Sequence, residues 1–154
     1  MALSKILPSS QNQFAGARNL IINSQMQVAQ RGTSASVSNN SNEGYQTLDR
    51  WHFTYGNNAG GTVTVSQDST VPSGEGFANS YKVDVTSADT SLASNHNVYI
   101  GQTIESQNMA NSGWNYTSSN SFVTASFYAR SSVDTTLCLV ARSYDAGYYS
   151  VKEF

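Results

Sequence analysis

From residue 49 to residue 55 the chain alternates without a break: Trp51, Phe53 and Tyr55 fall on one side, and Arg50, His52 and Thr54 on the other. A period of two is what a strand with one buried face produces, because successive side chains leave a pleated ribbon in opposite directions. The same period recurs at 62–67, at 81–86 with Tyr81, Val83 and Val85 turned inward, at 98–104, 122–130 and 136–141, and in the last segment, 148–154. Asn57, Gly60 and Gly61 accept positive φ, so the strands before and after them are expected to join through a tight connection. Residues 20–30 carry Leu20, Ile21, Ile22, Met26 and Val28 in strand-length runs and predict a first strand pair, with Asn23 and Ser24 at its turn or bulge.

Between these segments lie Ser, Asn and Gly. Residues 32–44 hold almost nothing to bury and read as a surface loop, while residues 1–18, with Pro8 among Ser, Gln and Asn, read as an extended or short-helical arm. No helical stretch is long enough for a crossover between parallel strands, and no internal repeat suggests a propeller or solenoid. The expected fold is therefore all-β, an antiparallel β-sandwich of the jelly-roll kind over residues 19–154, preceded by the arm at 1–18. Because the alternation is still running at Phe154, the sandwich is expected to be incomplete at its C-terminus or to have its edge covered by neighbouring subunits.

The polar content is uncharged: Ser, Thr, Asn and Gln account for 62 of 154 residues, whereas Asp, Glu, Lys and Arg make up 12%. That balance argues against a salt-bridged helical bundle and against a charged disordered tail. Eight scattered basic residues and a net charge of -2 supply no basic face, so nucleic acid is not an expected partner. The single cysteine, Cys138, excludes an intramolecular disulfide and multi-cysteine metal sites, and its apolar neighbours Leu137, Leu139 and Val140 suggest a small buried hydrophobe. No apolar run has the length of a membrane span or a signal-peptide core, so neither membrane insertion nor a cleaved secretory signal is expected.

Nothing in the sequence assembles a catalytic group. The ten carboxylates fall mostly in predicted loops with no spacing that selects a pair, His52 and His96 lack metal-ligand spacing, and no G-x-S-x-G elbow occurs. The expectation is a non-enzyme without a cofactor. Aromatic residues are more informative, since their faces stack on sugar rings while Asn and Gln bond hydroxyls. Trp51 is assigned to the core with Phe53 on the same side. Trp114 and Tyr116, two rings among Asn111, Ser112, Gly113 and Asn115, are the candidate glycan-binding residues.

Several short strings carry a resemblance. The run Ala17-Arg18-Asn19-Leu20-Ile21-Ile22-Asn23-Ser24-Gln25-Met26-Gln27-Val28-Ala29-Gln30-Arg31-Gly32, followed by Asp49-Arg50-Trp51, resembles the opening of tail-fibre and related virion proteins of marine tailed bacteriophages. Gly101-Gln102-Thr103-Ile104 and Phe127-Tyr128-Ala129-Arg130-Ser131 are similar to strands of carbohydrate-binding-module-like jelly rolls. The resemblance implies a structural virion protein, a tail fibre or fibre-like component acting in host attachment, assembled in the host cytoplasm. It further implies a homotrimer, an arm docked on other tail proteins and a host surface glycan as partner. Related modules often hold a structural calcium, but Ser24 replaces the expected Gly and Gln27 the expected acidic residue, which speaks against the ion here. The alternative is a carbohydrate-binding module of a secreted bacterial glycoside hydrolase.

Overall fold

The computed structural model describes residues 19–39, 41–57, 59–115, 117–143 and 149–153, so the arm expected at 1–18 lies outside the described residues. Among the described residues the fold is all-β and antiparallel, with one short helix. In chain order the elements are β1 (Ser34–Ser38), β2 (His52–Gly56), β3 (Thr62–Asp68), β4 (Ser80–Ser87), β5 (Asn97–Gly101), α1 (Ser106–Asn111), β6 (Cys138–Arg142) and β7 (Tyr149–Glu153). They form small, unclosed sheets: β1-β3-β4, β2-β5 and β6-β7. Residues up to Val123 make one compact unit, and Thr124–Phe154 a second.

In the first unit the alternation becomes a core. Ala35 and Val37 of β1 face Val65 and Val63 of β3 across the ladder, and these side chains meet Phe53 and Tyr55 of β2. Val37, Phe53, Val63 and Val65 are each at most 4% exposed, so the three-stranded and two-stranded sheets contact each other through these positions. The edge-to-face packing of Phe53 on Tyr55, with centroids 5.3 Å apart, adds the geometry aromatic pairs prefer. Burial raises the pKa of the Tyr55 phenol, and the Glu43 carboxylate pushes it the same way.

Several expectations are corrected here. Residues 34–38 are a strand and not a loop; their serines hide an alternation of Ala35 and Val37, the minimum needed to pair with β3. β2 and β3 do not pair with each other. The 57–61 connection carries the chain from one sheet to the other, and it stays close to the end of β4, where a Cβ on Gly61 (φ 87°) would stand 2.7 Å from the Ser87 carbonyl. The strand pair expected near 20–30 is instead a turn built around Asn23 (φ 54°). Its side-chain Nδ2 donates to the carbonyls of Val28 (2.9 Å) and Asp49 (3.0 Å), and its Oδ1 accepts from Val28 N–H (3.0 Å). Asn side chains that bond nearby backbone in this way offer the chain an alternative to a ladder.

Trp51 is also corrected. It precedes β2, is half-buried, and donates Nε1–H to the Asn23 carbonyl at 3.2 Å, so it clamps the turn from outside the core that Phe53 fills. Gln102 bonds the backbone of Ile22 in both directions, accepting its N–H at 2.7 Å and donating to its carbonyl at 2.8 Å. Gln67 donates to the Met26 carbonyl, and Arg50 bridges to Glu105 at 3.1 Å. The segments around 19–31, 49–51 and 102–105 are thus locked together by polar side chains.

The second unit is a hairpin of β6 and β7 with five paired positions, from Cys138 opposite Glu153 to Arg142 opposite Tyr149. All of β6 is exposed, including Cys138, against the expectation of a buried thiol. A two-stranded ribbon has no opposed face to close a core, so alternation there does not lead to burial. Residues 122–130, predicted as a strand, lie outside any strand, with Phe122 82% exposed.

Candidate functional site

The two faces of the β2-β5 sheet differ in chemistry. Phe53 and Tyr55, opposite Ile100 and Val98, face inward; His52 and Thr54, opposite Gly101 and Tyr99, face outward. A second neighbour flanks β2 on its other side, where Gly44 and Phe53 exchange backbone bonds of 2.8 and 3.0 Å. Phe53 spends its N–H and carbonyl on that side, so β5 bonds the residues on either side of Phe53, and Tyr45 and Tyr99 flank His52 from opposite directions. The result is a row of three rings across the sheet. Tyr45 and His52 have centroids 5.6 Å apart at 74°, and His52 and Tyr99 have centroids 5.8 Å apart at 88°.

Each part of the row has an identifiable cause. Gly101, opposite His52, leaves the imidazole unobstructed: a Cβ there would come within 3.0 Å of Nε2. Thr54 Oγ1 lies 3.4 Å from His52 Nδ1. Burial alone lowers the pKa of the imidazole, which is therefore neutral at pH 7 and offers one ring nitrogen as donor and the other as acceptor. At the Tyr45 end, the Arg31 guanidinium stands over the phenol ring, 5.9 Å from its centroid. Arg31 also approaches Asp49 Oδ1 at 3.9 Å, and that oxygen accepts the Gln30 N–H at 3.1 Å. Tyr45 and Tyr99 remain 43% and 45% exposed, so both keep surface for a ligand.

Trp114, proposed from sequence, sits elsewhere. Trp114 lies in the loop after α1, half-buried, with Nε1–H donated to the Ser121 carbonyl at 3.3 Å and its own N–H bonded to Ser112 Oγ at 3.1 Å. Asn115 N–H closes the same loop on Ser121 Oγ at 2.9 Å, so the Trp114 indole has its polar end engaged locally. Tyr116 lies outside the described residues. The row Tyr45, His52, Tyr99 does not include Trp114.

The row is not legible in the sequence, because the alternation at 49–55 marks Trp51, Phe53 and Tyr55 for burial and does not say what flanks His52 across the sheet. The available signal was Gly101 between Ile100 and Gln102, a strand glycine that marks close approach by something bulky. Among the described residues, no group of three or more His, Cys, Asp or Glu side chains could hold a metal ion. No family model, curated protein or solved structure matches the chain.

Proposed function

We propose that the chain is a structural component of a tailed-phage virion, a tail fibre or fibre-like protein whose β-sandwich, of jelly-roll type, contributes to host-surface attachment. The observation that carries the attachment reading is the row of Tyr45, His52 and Tyr99 displayed on the outside of a sheet whose other side is the core. A ligand-facing surface backed by a packed sheet is held in shape before binding, which reduces the ordering cost of association. The virion reading draws on the resemblance, and two of the strings that carry it, at 19–31 and 49–51, lie together through the bonds of Asn23 and Trp51. In this reading residues 1–18 dock on another tail protein, and a homotrimer multiplies weak contacts into useful avidity.

Labelling purified particles with antibody against the chain tests the location. Label at the tail is the expected result, and particles without the chain would overturn it. Deleting residues 2–16 should leave the circular dichroism of the β-sheet unchanged while stopping incorporation. Particles carrying Trp114→Ala with Tyr116→Ala report whether the loop at 111–116 takes part in adsorption. Unchanged adsorption removes that loop from the attachment surface, and sugar release by the purified protein would overturn the non-enzyme reading.

A further inference from the structure

We propose that the outer face of the β2-β5 sheet is a binding site for a neutral glycan chain, with Tyr45 and Tyr99 as stacking faces and the Arg31–Asp49 pair bonding sugar hydroxyls. The inference rests on the attachment reading only for its biological setting; the chemistry stands on the site itself. Sugar rings present C–H faces that settle on aromatic rings, and here two tyrosines flank one imidazole across a sheet that does not need to reorganise. The near-perpendicular contacts with His52 keep both phenols in place before a ligand arrives. A row of separated rings suits an extended chain better than a single sugar.

Charge selects the class of glycan. Arg31 supplies N–H donors at the Tyr45 end, and Asp49, 3.9 Å away, supplies acceptors beside them. A hydroxyl both donates and accepts, so it can satisfy the two together. A uronate or sialate carboxylate would meet the Asp49 carboxylate at the same place, on a protein whose net charge is -2. Arg50, the next cation along the chain, is held by Glu105 at 3.1 Å and leaves no surplus positive charge there. Neutral His52 and the Thr54 hydroxyl extend the uncharged hydrogen-bonding surface towards Tyr99. Gly101 keeps the path across His52 open, since no side chain rises opposite the imidazole.

The test is affinity electrophoresis of the full chain in gels containing soluble neutral polysaccharides (a β-glucan, xylan, mannan and glycol chitin) or acidic ones (polygalacturonate and alginate). Retardation by at least one neutral polymer is expected. Tyr45→Ala with Tyr99→Ala should weaken it about tenfold or more, the loss of two stacking contacts, while Tyr45→Phe with Tyr99→Phe keeps most of it. Both positions are about half exposed, and thermal unfolding of each variant checks that the fold survives. Retardation by acidic polymers alone would overturn the inference, as would neutral binding that the double alanine variant retains. Retardation in no gel would also overturn it, whereas tail labelling of particles would leave the virion location standing. A fall in sedimentation coefficient in the double alanine variant would identify the row as a contact between copies of the chain and overturn the glycan assignment.

Discussion

β3 and β4 carry nearly the same pattern and meet different fates. Val63 and Val65 of β3 are 4% and 0% exposed, whereas Val85 and Val83, paired directly opposite them on β4, are 66% and 37% exposed. The four share one face of one sheet, so neither propensity nor register separates them. The difference lies in what stands above: Phe53 and Tyr55 pack over β3, whereas β4 is an edge strand of the sheet, where Tyr81 reaches the same cluster and Val83 and Val85 stay exposed. The partner sheet repeats the contrast, with Phe53 1% exposed and Ile100 opposite it 44% exposed. Alternation therefore assigns a side chain to a face, and burial depends on a second layer reaching over that face.

The strongest test of this contrast removes the cover. Phe53→Ala should cost about 3 to 5 kcal/mol, the range for truncating a buried aromatic, and urea unfolding followed by circular dichroism would measure it. A cost below 1 kcal/mol would mean that β3 is not held by Phe53. Next in size, Val65→Ala is expected to lose about 2 to 3 kcal/mol from lost burial and the cavity left behind, against under about 0.5 kcal/mol for Val85→Ala on the same face. Equal costs in the two variants would break the distinction between β3 and β4.

A third test concerns polar fastening. Asn23→Ala removes three side-chain hydrogen bonds and puts a Cβ-bearing residue without local bonding at φ 54°. A loss of about 2 kcal/mol is expected at roughly 0.5 to 1 kcal/mol net per bond, with Asn23→Gly recovering the backbone share. Recovery of none of it by glycine would assign the whole effect to the bonds.

The smallest effect should be one of pH. Beyond the end of β4, the Asp89 carboxylate accepts N–H groups from Ser91 at 2.8 Å and Gly60 at 2.7 Å, and these bonds, the Ser91 one first, hold its pKa below the ordinary carboxylate value; His96 adds to the effect. A depressed folded value means the stabilisation is complete above the unfolded carboxylate pKa and is lost as pH falls through the folded one. Acid titration of the melting temperature should therefore show a loss that Asp89→Asn reduces. An identical acid limb in the variant would remove Asp89 as a source.

The class of fold was legible in the chain because alternation is local: 52–56, 62–68, 80–87 and 97–101 became strands close to where the pattern predicts them. β1 was not, because two apolar residues among three serines fall below what composition signals, and only β3 opposite them makes Ala35 and Val37 worth burying. The turn at Asn23 defeated the same reasoning from the other side. Leu20, Ile21 and Ile22 have strand propensity, but Trp51 and Gln102 supply backbone partners from 28 and 80 residues away along the chain, and such partners override a local preference.

What the sequence determined by itself was therefore periodicity and charge: which residues alternate, that uncharged polar groups predominate, and that basic residues are few and scattered. Which alternating face is covered, which strand joins which sheet, and the gathering of Tyr45, His52 and Tyr99 into one row were decided by tertiary structure alone. These are relations between segments distant along the chain, and they come into being only when β2 lies between Gly44 and β5. A ring's neighbours across a sheet are set by register, and register is a property of the pairing, not of either strand read alone.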